Sequence, residues 1–129
     1  WLRTIQVNLN APWLLSALAM DDLRAAGGGK LVFVLEDLEK VRASYWGPYG
    51  VSKHALRALV SQLSRETANS DVVVKSLIPR PMRSPIRSRA YHSENPSDMP
   101  SPKPVAERIV SLLEGSETWD GEVLDLRST

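Results

Sequence analysis

The sequence predicts an α/β fold, a partial doubly wound parallel sheet with flanking helices. Three observations carry this. Helical and extended patterning alternate three times along the 129 residues, and such alternation needs crossover connections between parallel strands. The run Leu31-Val32-Phe33-Val34-Leu35 is continuously apolar, as suits a strand covered on both faces. Val72 to Ile78 opens on three valines and is closed by Pro79, which marks a second strand. Three strands make a thin sheet, whose ligand is expected at the carboxyl ends of the strands.

Taken in order, Leu2 to Ala25 reads as a helix. Ile5, Leu9, Trp13 and Ala17 fall on one flank, and Leu14, Leu15, Leu18 and Leu23 widen the stripe. Pro12 is expected to kink this helix or to mark its true start, because a mid-helix proline removes a hydrogen bond. Gly27-Gly28-Gly29 stops it and links to the strand at Leu31–Leu35. A second helix runs from about Pro48 to Ala68, with Leu56, Leu59, Val60 and Leu63 on its core face. After the strand at Val72–Ile78, the stretch from Pro79 to Pro104 holds seven of the nine prolines without clear periodicity. It reads as a long exposed loop, a lid or mobile segment. Ser101-Pro102 then opens a third helix to about Leu113, and Val123 to Leu126 is a short last strand.

The length suits a single domain over residues 1–129, able to bury roughly two thirds of its unfolded surface. Apolar residues at 43% and charged residues at 24% exclude wholesale disorder. A net charge of +1 gives no global field toward nucleic acid or anionic lipid. The absence of cysteine excludes disulfides and thiolate chemistry, and suits a reducing compartment such as the cytoplasm. No apolar run approaches the roughly 20 residues of a membrane helix. The chain opens on Trp1, not Met, inside an amphipathic stretch, and is expected to be part of a longer protein. His54 and His92 show no metal-ligand spacing. Arg80, Arg83, Arg87 and Arg89 with His92 make a basic loop. Lacking an aromatic platform, it reads as solvated, and nucleic acid is an unlikely partner. Trp13, Trp46 and Trp119 read as packing or interface residues.

The chemistry-bearing residues open the second helix, at Tyr49-Gly50-Val51-Ser52-Lys53. A spacing of four sets phenol and ammonium on one helix face, one turn apart. Free tyrosine titrates near pH 10, too high for ready proton exchange at neutral pH. A neighbouring cation favours the phenolate, which lowers that value and makes the phenol a usable acid or base. Alone, the pair equally describes a surface phenol beside a solvated charge.

Its surroundings extend the pattern. Val7-Asn8-Leu9-Asn10-Ala11, the strand at Leu31–Leu35, Trp46 to Lys53 and Ile78 to Pro85 follow one another as in the short-chain dehydrogenase/reductase family. The chain resembles the C-terminal half of that Rossmann-like fold over nearly its whole length. The resemblance implies NADP- or NAD-linked oxidation or reduction of a small carbonyl/alcohol pair. Tyr49 would be the proton donor or acceptor. Lys53 would lower its pKa and hold the nicotinamide ribose. Asn8 would fix a proton-relay water through the backbone of its helix. Pro79 and Ser84 belong to the stretch that would cover the nicotinamide, with Ser84 replacing the usual threonine.

Two positions depart from the pattern. The family places a serine about thirteen residues before the tyrosine, and here that position is Glu36. A serine donates a hydrogen bond to the substrate oxygen, whereas an ionised glutamate only accepts and repels a developing alkoxide. Arg80 stands where the family has a glycine that admits the cofactor to the backbone. The glycine run at 27–29 follows a helix and precedes a strand, the reverse of a dinucleotide-binding turn. The expected function is an NAD(P)-dependent oxidoreductase, partial or impaired in this chain. The alternative is a non-catalytic interaction module. Either way, apolar surface around Leu14–Leu23 and Leu56–Leu63 suggests a homo-oligomer paired through the two long helices.

Overall fold

The computed structural model describes residues 1–118 and 120–127. Trp119 lies outside them. Three parallel strands, β1 (Gly29–Val34), β2 (Val72–Ile78) and β3 (Val123–Asp125), form one sheet in the order β1-β2-β3. The alternation read from sequence therefore holds, and helices cover the sheet.

The first helical stretch has a break at its proline. α1 (Leu2–Ile5) widens into a π turn at Gln6–Asn10 before α2 (Ala11–Ala25). Pro12, in the first turn of α2, has no N–H for the Asn8 carbonyl four residues back, and its ring crowds that carbonyl. A widened turn accommodates both effects. In α2 only Ser16 is buried, and its hydroxyl donates to the Pro12 carbonyl at 2.7 Å. Trp13, Leu14, Leu15 and Leu18 are exposed. Of the stripe, Leu23 lies over Gly29 of β1, where a β-carbon would collide with it.

The glycine run both ends α2 and starts the strand. Gly27, at φ 75°, and Gly28 donate back to the Arg24 and Leu23 carbonyls, while Gly29 pairs with Val72. The first strand therefore begins two residues before the apolar run and ends one residue inside it. It is half-covered rather than buried on both faces, because β1 is a sheet edge among the described residues. On β2, Leu77 packs with Val105 and Leu126, and Val32, Met82, Ile109 and Leu124 close around them. Alternation places Val72, Val74 and Ser76 on the opposite face, where all three are buried.

Asp37 caps a short helix that the sequence did not signal, α3 (Leu38–Val41), by accepting from the Lys40 N–H at 3.2 Å. α4 (Gly47–Glu66) buries Leu56 and Val60 and lies against β2. Gly50 is fixed by packing, since a β-carbon there would overlap the Val41 carbonyl. Gly50→Ala is expected to destabilise the chain by about 1–3 kcal/mol, the usual cost of overpacking, read as a lower melting temperature.

The stretch from 79 to 104 is not the unstructured loop expected. It holds α5 (Pro85–Ala90) and a 3₁₀ turn at Pro96–Asp98, each with proline in its first turn and a side-chain cap from Ser84 or Asn95. Here proline starts short helices instead of breaking them. α6 (Lys103–Glu114) follows, with the Ser101 hydroxyl accepting from the Lys103 N–H. No helix among the described residues is long and apolar enough to cross a membrane.

Candidate active site

The strands all point their carboxyl ends at one place. Glu36 follows β1, Pro79 follows β2 and Arg127 follows β3, and all three line a cavity of about 240 Å³. The first turns of α4 bring Tyr49 and Lys53 to the same cavity, and Ser84 reaches it from the start of α5. A crevice beyond the strand ends is the general ligand position of open parallel sheets.

The Tyr49 hydroxyl donates to Glu36 Oε2 at 3.0 Å, and Glu36 Oε1 accepts from the Asp37 N–H at 3.0 Å. Glu36 therefore stands within hydrogen-bond reach of the phenol. Lys53 Nζ donates to the Val34 carbonyl at 3.2 Å and lies 5.8 Å from the centre of the Tyr49 ring. The ammonium is thus near the phenol, but the carboxylate is closer. The expected lowering of the tyrosine is reversed. Burial pushes the Tyr49 phenol well above its ordinary value, and the charge and hydrogen bond of Glu36 push it further, with a smaller push from Tyr91. Burial holds the Lys53 ammonium below its ordinary value, against the opposing pull of Glu36.

Asn8 does not reach the cavity. Its amide donates to the Ser52 hydroxyl at 3.0 Å, and that hydroxyl donates to the Tyr49 carbonyl at 2.8 Å. Ser52 is fully buried, so the pair ties the π turn to the first turns of α4 and supports Tyr49 from behind. Forty-four residues separate the two partners, and no local spacing could have announced the contact.

Sequence reasoning also missed the cavity's outer wall. Lys40 and Arg87 lie over the Tyr91 ring at 4.5 and 4.6 Å, and Trp46 stands 6.1 Å from it. Arg87 in turn makes two bonds of 2.7 Å to Glu94. One member of the basic loop, Arg87, is therefore occupied internally. At the third strand end, Arg127 pairs with Asp37 at 2.7 Å and Asp125 at 2.6 Å. Burial works to raise Asp37, but the bond and charge of Arg127 and the N–H groups of Lys40 and Glu39 outweigh it, leaving that carboxyl below its usual range. The bonds from Arg127 lower Asp125. Among the described residues, no cluster of histidines and carboxylates could hold a metal.

The fold and the sequence place the chain in one class of protein. The short chain dehydrogenase family matches residues 1–95, and the chain belongs to that family. An uncharacterized oxidoreductase of Escherichia coli, YciK, is 27% identical over 113 residues, covering 88% of this chain and 44% of that protein. The solved short chain dehydrogenase of Salmonella enterica superposes with a TM-score of 0.82 at 26% identity, over 94% of this chain and 50% of that one. A short chain dehydrogenase of Escherichia coli solved with NADPH gives 0.81 at 25% identity, over 94% and 50%. The chain spans about half the length of these relatives.

Proposed function

We propose that the chain is the C-terminal half of an NAD(P)-dependent oxidoreductase acting on a small carbonyl/alcohol pair, with its proton-transfer machinery held back by Glu36. The observation that carries this is the Tyr49–Glu36 hydrogen bond at the strand ends, with Lys53 one helical turn away. The Escherichia coli short chain dehydrogenase solved with NADPH supports the cofactor class. The cavity suits the nicotinamide end of such a cofactor. Pro79 and Ser84 wall it, and among the described residues Lys53 Nζ has one hydrogen bond, to the Val34 carbonyl, which leaves donors for ribose hydroxyls. When bound, the nicotinamide supplies or accepts hydride.

In reduction, Tyr49 gives its proton to the substrate oxygen as hydride arrives at carbon; in oxidation it takes that proton back. Glu36 opposes both. Its carboxylate holds the phenolic proton and raises the phenol's pKa, and it offers no donor to a developing alkoxide. Asn8 acts through Ser52, which fixes the turn carrying Tyr49.

The 129 residues contain no glycine-rich turn of the dinucleotide-binding type, so a dinucleotide's phosphates lack that backbone cradle. Calorimetry with NADP(H) or NAD(H) is expected to show binding at about millimolar. Micromolar binding by this chain would contradict the reading.

A second reading, a self-associating module without catalysis, has one observation in its favour. Trp13, Leu14, Leu15 and Leu18 are exposed large apolar side chains clustered on α2, whereas α4 adds only Val51. Pairing of this cluster with its own copy predicts a two-fold dimer by light scattering. A monodisperse monomer at high concentration would count against it. The compartment proposed for either form is the cytoplasm.

A further inference from the structure

A second cavity, of about 190 Å³, adjoins the N-terminal turn of α6. Among the described residues its walls are Arg80, Pro104, Val105, Arg108 and Leu126: two guanidinium groups and no carboxylate. Arg80 also lines the Tyr49 cavity, so this one side chain borders both spaces.

The other partly buried arginines of the fold hold acceptors: Arg57 has Glu122, and Arg87 has Glu94. Arg80 is half-buried and makes no hydrogen bond, ion pair or ring contact among the described residues. Arg108 pairs with Glu117 through one terminal nitrogen, while its Nε is buried without an acceptor. It is the one buried side-chain polar atom in that condition among the described residues. The positive end of the twelve-residue α6 adds to the same field. The space would hold roughly six waters at about 30 Å³ each, which is ample for one small oxyanion and its hydration.

We propose that this cavity binds a compact oxyanion, a phosphate or carboxylate group, held between Arg80 and Arg108. Both groups offer paired oxygens to the planar guanidinium fork. The site does not depend on the oxidoreductase reading, because it uses neither Tyr49 nor Lys53.

The test is calorimetry of the chain in chloride buffer, with inorganic phosphate in one arm and citrate in the other. Saturable binding of at least one ion is expected at about millimolar. Phosphate alone would identify a phosphate site, and citrate alone a carboxylate site. Arg80→Ala should weaken the binding by roughly tenfold or more, the value of a lost charge-assisted contact. Arg108→Lys keeps a charge opposite Glu117 but loses the planar fork, and should weaken it as well. Arg83→Ala removes the same charge from an exposed position outside the cavity and should change it little. Melting curves that match the parent's establish that the variants fold. No saturable binding of either ion up to about 50 mM, binding indifferent to Arg80→Ala, or an equal loss in Arg83→Ala would overturn the proposal.

Discussion

Glu36→Ser is expected to raise turnover by a factor of about 10² to 10³ when the chain is joined to the dinucleotide-binding half of a family relative and assayed on a panel of carbonyl substrates. The factor is what one donor to a developing oxyanion contributes. Two effects act together. Serine restores a hydroxyl donor within reach of the substrate oxygen, and it frees the Tyr49 proton from the carboxylate 3.0 Å away. Tyr49→Phe in the serine background should remove the gain, because it takes away the phenol proposed to exchange the proton with the substrate oxygen. If the glutamate form is already fast and serine slows it, Glu36 is a working acid or base, and the pH–rate profile should carry its titration. If neither form turns over any substrate while a dimer persists, the interaction module is the better reading.

The alternation of helices and strands was legible because it rests on local signals. Val72–Ile78 is bounded in the structure as its valines and Pro79 imply. Proximity of Tyr49 and Lys53 was equally legible, since four residues make one helical turn. Three things were not. The direction of the Tyr49 shift depends on Glu36, thirteen residues away in sequence and brought close by the strand end. The sequence named Glu36 as an absent donor, whereas the fold makes it an acceptor for the phenol itself. Which part of the α2 stripe is covered depends on contact with β1, which places Leu23 over Gly29 and leaves Leu14, Leu15 and Leu18 exposed. Proline density concealed α5, because the same residue that breaks a helix in its middle starts one in its first turn.

The second large effect is the titration of the Tyr49 phenol, and it requires no upstream segment. In the parent chain, burial, the Glu36 charge and the hydrogen bond to Glu36 all hold the phenol protonated well above its ordinary value. Glu36→Gln removes the charge and leaves the burial. Because the folded phenol titrates above the unfolded value near 10, its contribution to stability is complete below about pH 10. That contribution is lost as pH rises through the folded value, and Glu36→Gln should lessen the loss. Ultraviolet absorbance of the phenolates across an alkaline titration, with Tyr49→Phe assigning the Tyr49 component, follows this directly. The expected result is a Tyr49 midpoint far above those of free phenols in the parent, and clearly lower in Glu36→Gln. A Tyr49 midpoint at or below the ordinary value in the parent, or one unmoved by Glu36→Gln, would contradict a phenol held by Glu36.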